Sequence, residues 1–215
     1  MAQFFTLHPV NPEPRLIKRA VDVVRAGGVI AYPTDSSYAL GCHIGDKAAM
    51  ERIRHIRRVD ERHHFTLVCR DLSEIGQYAK VDNAQYRLLK AHTPGSYTFI
   101  LRATRELPRR LAHPKRSTIG VRVPDHPVTH ALLAVLDEPL LSSTLIMPGE
   151  TTPLNDPRQI RKHLEHALDA IIDSGPCGIE PTTVIDLSEG GPILIRAGKG
   201  DPAPFGFEDR EATTG

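Results

Sequence analysis

The sequence predicts a single α/β domain with a twisted, mixed β-sheet flanked by helices. Three observations point there. Segments with a helical apolar stripe alternate with short runs rich in Val, Ile and Leu, the pattern of a sheet covered by helices. No internal repeat, linker or low-complexity tract interrupts the 215 residues, a length that suits one large domain. Apolar residues make up 40% and charged residues 25%, an ordinary globular balance.

In order along the chain, Gln3 to Leu7 reads as a short strand. Pro14 opens a helix in which Leu16, Ile17, Ala20, Val21 and Val24 keep the i, i+3, i+4 stripe, and Gly27 and Gly28 end it. Val29 to Tyr32 and Tyr38 to Cys42 read as extended segments broken at Pro33. Asp46 is placed to cap a helix with Ala49, Met50, Ile53 and Ile56 inward. Arg52 and Arg54 fall on its outer face, and Arg57 and Arg58 at its end. Phe65 to Cys69 reads as a buried strand, followed by helices near Leu72 to Ala79 and Asn83 to Ala91. Tyr97 to Leu101 and Thr118 to Val123 are further strands. Asp125 and Pro127 start a helix with Val128, Ala131, Leu132 and Val135 on one side. Leu140 to Ile146 is a strand rich in hydroxyls, and Asn155, Asp156 and Pro157 open a helix carrying Ile160 and Leu164. Ala170 to Ile172, Thr183 to Leu187 and Ile193 to Arg196 complete the strands. The domain is expected to span residues 1–201, with 202–215 a flexible C-terminal tail.

Charge is uneven along a chain whose formal net charge is only +1. One arginine-dense stretch runs from Arg52 to Phe65. A second, from Leu101 to Arg122, holds Arg102, Arg105, Arg109, Arg110, Lys115, Arg116 and Arg122 against the single acid Glu106. Such asymmetry points to a polyanion partner, either nucleic-acid phosphate or a nucleotide. The alternative is a solvated basic face, and cations at a helix C-terminus also stabilise the helix.

Several classes are excluded. No run approaches the roughly 18 apolar residues of a membrane helix, and the N-terminus lacks the pattern of a secretory signal. Cys42, Cys69 and Cys177 form no CxxC pair and read as reduced thiols, the first two buried. A cytoplasmic monomer with no membrane partner is the expectation. The phosphate-binding motifs GxxxxGK[ST] and GxGxxG and the nucleophile elbow GxSxG are absent. His126/His130 and His163/His166 have helical spacing without a third ligand, so no metal site is expected. What remains is a set of hydroxyl clusters at strand ends: Thr34-Asp35-Ser36-Ser37, Thr93 to Thr98, Ser142-Ser143-Thr144 and Thr182-Thr183. Open α/β sheets bind ligands just outside strand ends. Hydroxyls there hold polar groups, and arginines clamp carboxylate or phosphate.

These segments resemble the YrdC/YciO family, and most closely its YciO branch. The resemblance is carried by GGVIAYPTDSSYALGC (Gly27 to Cys42), HFTLVCRDLSE (His64 to Glu74), TPGSYTFIL (Thr93 to Leu101), TIGVRVPDHP (Thr118 to Pro127), PTTVIDL (Pro181 to Leu187) and Ile195 to Gly198. It runs from about Gln3 to Asp201. It implies a basic concave surface, binding of nucleotide and double-stranded RNA or tRNA, and a link to tRNA modification. The chemistry it implies is threonylcarbamoyl-adenylate synthesis from L-threonine, bicarbonate and ATP, with Mg²⁺ accompanying the nucleotide and pyrophosphate released. No protein nucleophile is implied, only positioning by Arg57 and Arg122. Thr34, Arg122, Ser142 and Thr182 match threonine-binding positions. Arg57, Thr118, Thr144 and Arg196 match nucleotide-binding positions. Two departures stand out. A Lys-x-Arg pair of the synthases becomes Arg57-Arg58-Val59, leaving Arg58 or Arg62 to stand in for its second cation. A Ser-x-Asn segment becomes Thr144-Leu145-Ile146, so an amide is replaced by an apolar side chain.

Two functions are compatible with these features. One is a nucleotide-processing enzyme of the synthase type, with weak or altered activity. The other is a non-catalytic RNA-binding protein acting on tRNA, rRNA or the ribosome. Arg54, Arg58, Arg62, Arg105, Arg109, Arg110, Lys115 and Arg116 are the candidate RNA contacts.

Overall fold

The computed structural model describes residues 1–61 and 63–207. Arg62, one of the expected RNA contacts, lies outside them. Six α-helices and ten strands are assigned among the described residues. The strands β1 (Gln3–Thr6), β2 (Ile30–Tyr32), β3 (Ala39–His43), β4 (Thr66–Val68), β5 (Tyr97–Arg102), β6 (Thr118–Arg122), β7 (Leu140–Thr144), β8 (Ala170–Asp173), β9 (Thr183–Asp186) and β10 (Ile193–Arg196) form one sheet. Their order is β1-β8-β2-β3-β7-β4-β6-β5-β9-β10. Parallel pairs such as β4 with β6 and β5 with β9 sit beside antiparallel pairs such as β3 with β7 and β5 with β6. The α/β class with a mixed sheet is therefore observed.

The helices are α1 (Pro14–Arg25), α2 (Lys47–Arg57), α3 (Leu72–Tyr78), α4 (Asn83–His92), α5 (Pro127–Leu136) and α6 (Pro157–Leu164). Local sequence explains their ends. The Asp46 carboxylate accepts the Ala49 N–H and caps α2, as expected. Asp82 and Gln85 form a reciprocal capping box on α4. Gly27, at φ +84°, closes α1, a conformation that favours glycine. Helix α5 differs from expectation. His126 caps it, its Nδ1 accepting from Val128 N at 3.3 Å. Its buried residues are Val128, Thr129, Leu132, Leu133 and Leu136, while Val135 is exposed. The all-apolar run ALLAVL left the stripe ambiguous, and packing against α1 decided it.

Two apolar clusters sit on opposite faces of the sheet. One joins Ile17, Val21 and Val24 of α1 and Val128, Leu132 and Leu136 of α5 to Ile30, Tyr32, Val68 and Leu140. The other gathers Leu40, Leu67, Phe99, Val121 and Leu141 with Ile53 of α2, Ile75 of α3 and Leu89 of α4. Because side chains alternate along a strand, Leu67, Val121 and Phe99 share the second face. Helices α1 and α5 cover only part of the first.

The C-terminal segment is tied to the domain beyond residue 201, so the expected tail begins later than Pro202. Ala203–Phe205 is a short 3₁₀ turn, and Phe205 is 7% exposed against His92, Tyr97 and Phe99. Residues 208–215 lie outside the described residues. No described helix is long and apolar enough to cross a membrane. Phe205→Ala is expected to lower unfolding free energy by about 3 kcal/mol, the usual cost of removing a buried ring. Chemical denaturation reads this directly, and a change below about 0.5 kcal/mol, the range of a surface substitution, would mean that the segment is not integral.

Candidate active site

Beyond the cover of α1 and α5, the first sheet face changes character. In register across the strands lie Gly41, Ser142, Thr66, Gly120 and Ile100. Thr118 and Arg122 flank Gly120 on the same face of β6, and Thr98 precedes Ile100 on β5. The result is a cavity of about 420 Å³ with a floor of hydroxyls and small residues. Its lining brings together all eight expected small-molecule contacts: Thr34, Arg57, Thr118, Arg122, Ser142, Thr144, Thr182 and Arg196. The walls also include Leu111, Ile119, Val184 and Ile195.

Part of this hydroxyl set is committed to the fold. Thr34 Oγ1 donates to Ser37 O at 2.6 Å and accepts from Ser36 N and Ser37 N, which fixes the loop after β2. Ser142 Oγ donates to Leu40 O and accepts from the buried Tyr32 hydroxyl at 2.6 Å. Thr182 and Thr98 share a hydroxyl hydrogen bond of 2.9 Å. Thr66, Thr118 and Thr144, in contrast, have no side-chain hydrogen bond among the described residues. Their hydroxyls are available to a ligand.

The four lining arginines fall into two kinds. Arg116 pairs with Asp186 at 2.9 Å. Arg122, 8% exposed, pairs with Asp35 and donates to Ser36 Oγ, while its Nε is buried without a partner. Asp35 also accepts from Ser96 Oγ at 2.9 Å, and its main-chain carbonyl accepts from Lys199. Arg57 and Arg196 have no acid partner among the described residues. Arg196 donates to Thr182 O at 2.9 Å. Burial lowers the pKa of both arginines from the ordinary guanidinium value. Two cations lining one cavity, Arg57 half-buried and Arg196 more exposed, each bonded only to neutral groups, favour an anion between them.

Sequence reasoning did not single out the imidazoles. Arg57 Nη1 donates to Ser143 Oγ at 2.6 Å and to His63 Nε2 at 3.2 Å, and Ser143 Oγ lies 2.8 Å from the same nitrogen. Burial, with the charges of Arg57, His64 and Arg54, pushes His63 down to about 4, so its ring is neutral at pH 7. His64 and His113 also line the cavity, their rings tilted by 31° with centroids 4.9 Å apart. The one signal in the sequence was the pair His63-His64 ahead of a strand, within a run dominated by arginines.

The basic runs divide similarly. Arg54 pairs with Glu51 at 2.5 Å and lies over the Phe65 ring, so it is not on the outer face of α2 as expected. Arg110 donates to Gly45 O at 2.7 Å. Arg116 belongs to the cavity. Arg58, Arg105, Arg109 and Lys115 are exposed. No group of three or more His, Cys, Asp or Glu suited to a metal ion occurs among the described residues.

Removing one member of a buried ion pair leaves the other uncompensated, at a cost of about 3 kcal/mol or more. Asp35→Ala is therefore expected to lower stability by about 3 kcal/mol, and Asp35→Ala with Arg122→Met to recover at least half of it, as denaturant midpoints would show. Additive losses would contradict a coupled pair.

Comparison with known proteins places this geometry. The chain is 56% identical over 205 residues to YciO of Escherichia coli K12, covering 95% of this chain and 100% of that protein. The E. coli YciO crystal structure superposes with a TM-score of 0.92 over 95% of this chain and 100% of that one. A threonylcarbamoyl-AMP synthase of Halorhodospira halophila is 29% identical over 189 residues, 87% of this chain and 98% of that protein. The structure of P. abyssi Sua5 complexed with L-threonine shares the fold, with a TM-score of 0.83, 24% identity, and coverage of 91% of this chain and 57% of that one. A family model, Sua5_yciO_yrdC, described as telomere recombination, matches residues 22–198. The chain belongs to the Sua5/YciO/YrdC family.

Proposed function

We propose that the protein is a nucleotide-processing enzyme of the threonylcarbamoyl-adenylate synthase type, taking ATP, L-threonine and bicarbonate and releasing pyrophosphate. The observation that carries this reading is the division of cations in one cavity. Arg57 and Arg196 lack acid partners and suit a polyphosphate. Arg122 is already balanced by Asp35 yet keeps Nε free, which suits one carboxylate on a small zwitterion. The relatives named as threonylcarbamoyl-AMP synthases, and Sua5 with L-threonine, support the same assignment.

The chemistry needs positioning and charge neutralisation, not a nucleophile from the chain. The threonine amine adds to bicarbonate-derived CO₂, and loss of a proton leaves a carbamate. A carbamate oxygen then attacks the α-phosphorus of ATP. The P–O bond to the β-phosphate breaks, and pyrophosphate leaves with its electron pair. Arg122 and the free hydroxyls orient the amino acid, while Arg57 and Arg196 offset charge on the departing phosphates. No carboxylate lines the cavity, so the described residues form no magnesium site of their own. Mg²⁺ would arrive with the nucleotide that carries it.

Pyrophosphate release from MgATP is expected only when threonine and bicarbonate are both present. Arg57→Ala and Arg196→Ala are expected to raise the KM for ATP about tenfold or more. Arg122→Lys, which keeps a cation beside Asp35 but removes the fork, is expected to raise the KM for threonine about tenfold while leaving that for ATP. Release independent of threonine and bicarbonate would replace this reading with a simple nucleotide hydrolase.

A second reading, RNA binding, draws on a separate observation. Arg105, Arg109 and Lys115 are exposed on the segment between β5 and β6, which also supplies Leu111, His113 and Arg116 to the cavity. A phosphate backbone lying there would border the nucleotide site. Aromatic residues are only 5% of the chain and Trp is absent, so duplex RNA read by shape fits better than base stacking on single strands. Changing Arg105, Arg109 and Lys115 together to alanine is expected to weaken duplex RNA binding and to reduce the log–log salt slope by about two to three. An unchanged slope would remove these residues from the RNA contact.

A further inference from the structure

We infer that His63 is a positioning residue for Arg57, its ring nitrogen Nε2 and the Ser143 hydroxyl together fixing the guanidinium against the cavity wall. The inference deepens the proposed nucleotide site and rests on it. Arg57 is the last residue of α2, where a long side chain would otherwise sweep freely. Three contacts stop it: Nη1 to Ser143 Oγ at 2.6 Å, Nη1 to His63 Nε2 at 3.2 Å, and Nε to Ile146 O at 3.5 Å. All three partners are neutral, so they orient the guanidinium without cancelling its charge.

The contact with Arg57 selects the tautomer. Arg57 has donors only, so both the Ser143 oxygen and His63 Nε2 accept from it. The serine proton then also points to His63 Nε2, 2.8 Å away, whose one lone pair the two donors share. That nitrogen must be unprotonated, which places the ring proton on Nδ1. The surroundings favour this state. Arg57 and Arg54 approach from α2, His64 adjoins in sequence, and Asp60 is the one acid among the facing groups. From β7 the contact is Ser143, which carries no charge. The Phe65 ring meets His63 edge-on at 5.4 Å and restrains the imidazole.

This arrangement bears on the departures from the synthase pattern. Val59 stands where a second cation would be, and Ile146 where an amide would be. Arg57 must then meet the phosphates at this wall without a second cation beside it in sequence, and fixing it in advance reduces the entropy lost on binding. At Ile146 it is the backbone carbonyl that contacts Arg57.

The test is a double-mutant cycle on equilibrium binding of MgATP to the full chain at pH 7.5, with Arg57→Ala, His63→Ala, His63→Gln and the Arg57→Ala/His63→Ala pair. His63→Ala is expected to weaken MgATP binding about tenfold, in proportion to a hydrogen bond with a charged partner. His63→Gln, whose side-chain oxygen also accepts, is expected to stay within about threefold of the parent, less than the loss expected at that bond. In the Arg57→Ala background, His63→Ala is expected to change nothing further, because its effect runs through the guanidinium. Additive losses, or a glutamine variant as weak as alanine, would overturn the positioning role. Unchanged binding in His63→Ala together with a strong loss in Arg57→Ala would overturn it while leaving the nucleotide site in place. Unchanged binding in Arg57→Ala would remove the nucleotide site at this residue, and the inference with it. Matching thermal unfolding curves for the variants would separate each of these outcomes from misfolding.

Discussion

The pair between Arg122 and Asp35 holds together the parts that make the cavity. Arg122 rises from the middle of the sheet on β6, and Asp35 sits in the loop after β2. Through Asp35 the contact extends to Ser96 before β5 and to Lys199 after β10. Four segments far apart in sequence thus meet at one residue, Asp35, through its carboxylate and its main-chain carbonyl. A buried ion pair is a poor source of net stability, since both charges lose their hydration. Its value here is geometric. It fixes the loop, leaves one guanidinium nitrogen unpaired, and keeps an arginine inside the fold without flooding the cavity with charge.

Uneven covering of the sheet explains where the cavity lies. Helices α1 and α5 place their apolar stripes over one part of the face, and the strands beneath supply Ile30, Tyr32, Val68 and Leu140. Farther along, beyond α1 and α5, the same face turns to Thr66, Thr118, Gly120 and Thr98. The other face remains apolar throughout, with Leu67, Phe99, Val121 and Leu141 in one cluster. A strand such as Thr118-Ile119-Gly120-Val121-Arg122 therefore carries two instructions, one residue out of phase: cover this side, leave that side open.

That alternation was present in the sequence, and much of the fold was legible for the same reason. The strands and helices followed from periodicity, caps and glycine stops, as Asp46 and Gly27 illustrate. The eight small-molecule positions, named on the strength of family resemblance, converge on one cavity. What could not be read was pairing across distance. Arg54 and Arg110 look like surface cations in sequence, yet one lies over Phe65 and the other caps carbonyls of Ile44 and Gly45. His63 looked like part of a basic run, and its neutrality arises only once burial and Arg57 are in place. Phe205 sits among Pro and Gly residues that read as a tail, and its contacts with Tyr97 and Phe99 span more than a hundred residues.

The glycine at the centre of the cavity floor sets how far a ligand descends. A methyl group built at Gly120 would lie 3.3 Å from the Thr98 methyl and 3.4 Å from Thr66 Oγ1, tight contacts on a crowded surface. Depth at this spot is therefore governed by one missing carbon, not by the shape of the surrounding walls. A chemical probe with a slim group long enough to reach the bare backbone would distinguish this chain from any protein of the same fold that carries a side chain there. The discrimination would be steric, and so insensitive to salt and pH.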